Sequence, residues 1–141
     1  GGPELVWKAP IGTGYAGPAV SGGRVYVFDR TLADVTDLPD NPFERGEIPG
    51  KESLHCLESA TGKVVWSKSY DTNYTVSYAA GPRCTPVIHE GLVYTLGAEG
   101  RLFVRRVGTG DVVWEKDFVS VLKTKTPQAA RQEVIWYNRS L

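Results

Sequence analysis

Short apolar runs separated by glycine-rich turns dominate this chain. Between Arg24 and Asp29 the side chains of both alternating faces are apolar, which is typical of a strand packed on two sides. Tight turns at 21–23 and 90–91 contain the glycines that antiparallel hairpins need. The pattern therefore predicts short antiparallel strands and an all-β fold.

The same pattern occurs twice along the chain. The segment Thr61-Gly62-Lys63-Val-Val-Trp66 returns as Thr109-Gly110-Asp111-Val-Val-Trp114, an offset of 48 residues from position 66 to position 114. The segment 18–27 returns at 86–95. A repeat of roughly 40–50 residues is typical of propellers and solenoids. Each copy holds four short strands, which is one blade of a β-propeller.

These correspondences divide one partial-propeller domain into segments. The first is a strand at 5–10, here called the closing strand because such a strand completes the last blade of a ring. It is followed by a first blade at 18–70 with an insertion at 30–52, a second blade at 83–118 and an atypical tail at 119–141. The tail has no glycine turn. Its sequence fits either a short helix over 128–137 or one added strand over 133–137.

The insertion is acidic and contains three prolines, whereas the second copy has only a tight turn at that point. A long excursion inside a compact domain is usually functional or disordered. Calcium binding by its carboxylates is one alternative, although the spacing of Asp34, Asp37 and Asp40 matches no loop of fixed ligand geometry. We expect a solvated loop that faces a partner, and we expect changes at 30–52 to matter far less than Trp66→Ala.

The two Thr-Gly-x-x-x-Trp segments resemble the tryptophan-docking motif of the PQQ-like, quinoprotein-type β-propeller repeat. In that family the tryptophan of each blade packs against the Thr-Gly turn of its neighbour. The resemblance implies structural docking roles for Thr61, Gly62, Trp66, Thr109, Gly110, Trp114 and Trp7. Cys56 and Glu58 stand where the family pattern has Ala and Asp, and Val104 and Arg106 match it less well. Family propellers usually have seven or eight blades, and this chain carries about two.

No convergent set of catalytic residues is evident from the sequence. Asp29 and Glu58 lie on different predicted elements, and neither histidine, His55 or His89, belongs to a recognisable metal or nucleophile motif. His55 precedes Cys56 in a strand, so their side chains point to opposite faces. Family enzymes that bind PQQ need a whole ring and an adjacent Cys-Cys pair, which this sequence lacks. We expect no PQQ or other cofactor, no metal and no catalysis by this chain.

Two further groups of residues leave alternatives open. Cys56 and Cys84 lie in no metal-like spacing and are interpreted as buried thiols in strands, with a disulfide as the alternative. Tyr70, Tyr74 and Tyr78 fall between the blades and are expected to pack the blade junction, with a binding surface as the alternative.

The net charge and the lengths of the apolar runs limit the class of partner. Sixteen basic residues balance sixteen acidic ones, which argues against nucleic acid or an anionic membrane surface. No apolar run approaches the roughly 20 residues that span a bilayer, and no signal peptide is visible. Blade geometry places Arg83 near a central channel. The resemblance implies a periplasmic or cell-envelope location in bacteria.

The predicted function is a non-catalytic binding or scaffolding module. Open blade faces favour self-assembly into a homo-oligomer, or contact with another protein. The alternatives are a fragment of a PQQ-dependent dehydrogenase-like quinoprotein and a truncated gene product without a selected function.

Overall fold

The computed structural model describes residues 1–33, 40–44 and 46–118. The strands are β1 (Ala19–Ser21), β2 (Arg24–Leu32), β3 (Gly50–Glu58), β4 (Val64–Asp71), β5 (Val87–His89), β6 (Leu92–Leu96), β7 (Arg101–Arg106) and β8 (Val112–Asp117). They form two four-stranded antiparallel sheets, ordered β1-β2-β3-β4 and β5-β6-β7-β8. The predicted all-β class with two four-stranded blades is therefore confirmed. The tail at 119–141 lies outside the described residues.

Each blade begins with a two-residue hairpin turn of the same kind. Gly22 and Gly23 join β1 to β2 with φ values of 57° and 73°, and Glu90 and Gly91 join β5 to β6 with 47° and 76°. Two successive positive φ values match the right-handed twist of the flanking strands. Glu90 thus adopts the left-handed conformation that glycine, Gly22, adopts at the equivalent position of the first blade.

The first blade is larger than the second because three of its strands are longer, β4 with eight residues against six in β8 among them. β2 and β3 have nine residues each, whereas β6 has five and β7 has six. The β2–β3 ladder runs from Arg24 opposite Glu58 to Leu32 opposite Gly50. Both ends of the segment predicted as an insertion, 30–32 and 50–52, are therefore strand.

Both blades carry an irregularity at the same place before the Thr-Gly turn. The register shifts between Cys56 and Leu57 in the first blade and between Val104 and Arg105 in the second. A bulge bends the strand and increases its twist. The repeat therefore extends to the local distortion that leads into each turn.

The main core lies between the two sheets. Its buried members are Tyr26, Phe28, Leu54, Cys56 and Trp66 from the first blade and Val93 from the second. Alternate residues of a strand share a face, so one face of the first blade packs on the second blade. A smaller cluster of Ile48, Tyr74 and Ala79 lies beside it. No helix among the described residues is long and apolar enough to cross a membrane.

The segment before β1 lies against the first blade without joining its ladder. Residues 5–10, predicted as a closing strand, form no strand with the other described residues. Thr13 instead forms an isolated bridge with Arg30, with N···O distances of 2.9 and 2.8 Å. Trp7 holds the earlier part of the segment through its contacts with Ser59 and Gly62.

Candidate functional site

Trp66 on β4 joins the first blade to the second. Its indole Nε1 donates a hydrogen bond to the Val107 carbonyl oxygen at 2.9 Å. The ring lies directly on Gly110, where a Cβ would come within 2.7 Å of Trp66 Cε3. Gly110 also has a φ of 75°, which favours glycine independently of the close approach. The contact therefore buries a large apolar ring and satisfies its only donor.

Trp7 makes the same contacts with the first blade. Its Nε1 donates to the Ser59 carbonyl oxygen at 2.8 Å. A Cβ at Gly62 would lie 2.5 Å from Trp7 Cε3, and Gly62 has a φ of 72°. Ser59 and Gly62 occupy the repeat positions of Val107 and Gly110. The indole-on-turn arrangement thus occurs twice in the described chain.

The threonines of the two motifs act within their own turns. Thr61 Oγ1 accepts a hydrogen bond from the Lys63 backbone N–H, and Thr109 Oγ1 accepts one from Asp111, both at 3.2 Å. Hydroxyl side chains that accept from a backbone N–H two residues on stabilise tight turns. The threonines therefore shape the surface on which an indole rests.

Trp114 occupies the same motif position in a different environment. Its exposed fraction is 47%, against 9% for Trp66. Because Val93 and Phe103 face the first blade, the alternate residues of β6 and β7 lie on the opposite side. We call this side, formed by Val87, Tyr94, Leu96, Leu102, Val104 and Trp114, the open face of the second blade, although Val104 itself is buried. It repeats the first blade's core face, which the second blade covers.

A buried carboxylate, Glu52, lies between the blades at the end of the junction away from Trp66. Glu52 on β3 is 1% exposed and accepts hydrogen bonds from the hydroxyls of Tyr70 and Tyr74. It also accepts from the Ala98 backbone N–H at 2.9 Å, in the turn before β7. One side chain of the first blade therefore binds a turn of the second.

Arg30 lies directly opposite Glu52 in the ladder and is equally buried. Its guanidinium carbon is 3.4 Å from the centre of the Tyr74 ring, and its Nη2 donates to the Ile48 carbonyl. Burial, reinforced by the neighbouring Glu52, raises the pKa of both Tyr70 and Tyr74 well above the usual value. The two hydroxyls therefore remain protonated donors to Glu52.

The structure confirms junction packing for two of the three tyrosines. Tyr74 is fully buried, and Tyr70 stacks on Phe103 of the second blade at a centroid distance of 4.6 Å. Tyr78 is 43% exposed and belongs to a different surface. Arg83 is exposed in the link before β5, and its place near a central channel stays a prediction.

One polar set was missed by sequence reasoning. His55 Nδ1 lies 2.7 Å from Ser67 Oγ, and His55 Nε2 lies 3.1 Å from Asp29 Oδ1. Asp29, treated above as having no converging partner, also accepts from the Gly12 backbone N–H at 2.5 Å. The three residues lie on neighbouring strands of one sheet and on one face. They hold the segment before β1 against the first blade.

No metal site emerges within 1–33, 40–44 and 46–118, where no three His, Cys, Asp or Glu side chains cluster to hold an ion. Asp34 and Asp37, considered above as calcium ligands, lie outside the described residues, and Asp40 is exposed.

The two cysteines differ in environment, and neither is in a disulfide. Cys56 is buried in the core, as predicted, and burial raises the pKa of its thiol. The prediction was wrong for Cys84, which is exposed because it lies in the link between the blades rather than in a strand.

We expect Cys84 alone to react with a thiol reagent in the folded protein. A buried thiol with a raised pKa presents little thiolate to an attacking reagent. The Cys84→Ser variant should label only after unfolding in urea, whereas Cys56→Ser should label at the wild-type rate. Rapid labelling of folded Cys84→Ser would contradict the buried position of Cys56.

Comparisons with known proteins give the family of the chain and one similar structure. A family model described as outer membrane protein assembly factor BamB matches residues 50–140. The match extends into the tail, for which the motif pattern had predicted no family likeness. Comparison with curated proteins gave no match. The crystal structure of BamB from Moraxella catarrhalis is similar over 50% of this chain, with 16% identity and a TM-score of 0.37. This chain covers 20% of the length of that one.

Proposed function

Because the chain belongs to the β-propeller family of the outer membrane protein assembly factor BamB, we propose that it is a non-catalytic module that binds proteins. The observation that carries this proposal is the open face of the second blade. The family's description supports a location in the bacterial periplasm or cell envelope.

The open face has the properties of an association surface. Val87, Leu96 and Trp114 are 59%, 37% and 47% exposed on it. Exposed contiguous apolar surface marks interaction sites in soluble domains. Strand β8, which carries Trp114, is the last strand of its sheet within residues 1–33, 40–44 and 46–118, and all six of its residues are exposed. A sheet edge of this kind has backbone groups available for pairing.

We assign the occupant of this face to a blade of the same type, from a second copy of this chain. The Thr-Gly turns, Thr61-Gly62 and Thr109-Gly110, act as receptors, and Trp7, Trp66 and Trp114 are the side chains that dock on them. Trp7 and Trp66 have their turns within one chain. Trp114 has no such turn among the described residues. In a head-to-tail homo-oligomer, Trp114 of one copy would replace Trp7 on the Thr61-Gly62 turn of the next copy.

Light scattering behind a sizing column, over about a hundredfold range of protein concentration, tests this proposal. We expect the wild-type mass to rise with concentration and Trp114→Arg to remain monomeric. Phe43→Arg is a control, since Phe43 is 68% exposed but lies outside both sheets and away from both Thr-Gly turns. A wild-type protein that is monomeric throughout, or a Trp114→Arg variant that associates normally, would contradict self-association through the open face.

A further inference from the structure

A second exposed surface lies where the segment before β3 meets the link between the blades. We call Tyr15, Phe43, Tyr78 and Arg83 the aromatic patch. The rings of Phe43 and Tyr78 meet edge to face at a centroid distance of 5.2 Å. The Arg83 guanidinium lies 5.7 Å from the centre of the Tyr15 ring. The three rings are 55%, 68% and 43% exposed, in chain order, although large rings are normally buried.

The backbone holds Tyr78 in an unfavourable conformation. Its φ of 55° lies in the left-handed region that bulky residues rarely adopt. The Tyr78 N–H donates to the Pro42 carbonyl at 2.7 Å, and Arg83 Nη2 donates to the Tyr78 carbonyl at 2.8 Å. Conformations of this kind cluster at binding sites, where surrounding contacts maintain them. Arg83 is thus a positioning residue for an exposed ring.

Three of the described carboxylates lie next to the patch along the chain. Asp40, Glu44 and Glu47 flank Phe43 along the chain and are exposed, and none of them forms an ion pair with another described residue. The Arg83 guanidinium donates to backbone carbonyls, including that of Ser77 at 2.5 Å. Carboxylates that form no ion pair within the described part of the chain, next to exposed rings, favour a cationic ligand, because aromatic faces also attract ammonium and guanidinium groups.

We infer that the aromatic patch binds a basic segment of a partner protein in which Lys or Arg alternates with apolar side chains. The inference rests on the proposed protein-binding role of the chain. Apolar side chains of the segment pack on Phe43 and Tyr78, since aromatic residues supply much of the contact at protein interfaces. Its cationic groups lie beside Asp40 and Glu44.

Fluorescence anisotropy with a labelled peptide that alternates Lys and Leu tests this inference on the full chain. We expect binding that Phe43→Ala weakens on the order of tenfold, as truncation of an interface anchor does. Val20→Ala should bind like wild type, since Val20 is as exposed as Phe43, at 69%, but lies on β1. Glu44→Gln should weaken binding and reduce its salt dependence, whereas Glu4→Gln should change neither.

Three results would overturn the inference. They are equal binding of a matched peptide that alternates Glu and Leu, unchanged affinity of Phe43→Ala, and no binding of the Lys-Leu peptide below about 1 mM. The light-scattering experiment separates this failure from that of the proposed function. If the peptide fails to bind while the protein still associates through Trp114, the patch is not a site and the open face remains one.

Discussion

Replacing Trp66 with Ala is expected to lower the free energy of unfolding by about 3–5 kcal/mol, as truncation of a buried tryptophan does. The same replacement at Trp114 is expected to cost less than about 1 kcal/mol. The two residues share a motif position, but Trp66 is 9% exposed and Trp114 is 47% exposed. Trp66→Ala also leaves a cavity between the sheets and removes the hydrogen bond to Val107.

Urea unfolding followed by far-ultraviolet circular dichroism measures both changes without depending on indole fluorescence. The protein concentration should lie below that at which the wild type associates. Association through the open face would stabilise the wild type but not Trp114→Ala, and the measured difference in unfolding free energy would then include the association. Equal losses for the two variants would mean that Trp114 is covered in the monomer, and the open face would then not be available to a partner.

The blade architecture was predictable because its signals are local. Gly62 and Gly110 are required both by a positive φ and by the indole lying against them, so the Thr-Gly-x-x-x-Trp spacing is visible without any tertiary contact. The hairpin turns are equally local. A repeat of such signals fixes the number of blades and their strand order.

The limits of the insertion were not predictable because they depend on tertiary contacts. Arg30 and Glu52 are charged and lie beside proline-rich sequence, which is typical of a loop. In the structure both are 1% exposed within β2 and β3. They can be buried because Tyr74 packs on one and bonds to the other. Tyr74 lies 22 residues from Glu52, so no local pattern reveals the pairing.

Cross-strand register accounts for the missed polar set. Asp29, His55 and Ser67 come together because Val27 pairs with His55 and His55 pairs with Ser67. Residues on one face of neighbouring strands lie within hydrogen-bonding reach only in one register, which the sequence alone did not establish.

The burial of Glu52 reverses the expectation that changes within 30–52 would matter little. Glu52→Ala is expected to lower the free energy of unfolding by about 3–5 kcal/mol, because it removes the acceptor for Tyr70, Tyr74 and Ala98. Each buried donor left without a partner costs about 1–3 kcal/mol. Chemical denaturation is the measurement, with Glu115→Ala as the control, since exposed ion pairs contribute about 0–1 kcal/mol.

A double replacement distinguishes the charge from the packing. Arg30→Met combined with Glu52→Leu removes both buried charges while keeping most of the volume, and such exchanges are often neutral or stabilising. The double variant should therefore be more stable than Glu52→Ala. If it is less stable, the contacts of the Arg30 guanidinium with the Tyr74 ring and the Ile48 carbonyl stabilise the fold more than its buried charge destabilises it, since both variants lack the Glu52 hydrogen bonds. A different result would be that Glu52→Ala lowers the free energy of unfolding by less than about 1 kcal/mol. That result would mean that water reaches this end of the junction and that the Trp66 contact holds the two blades together.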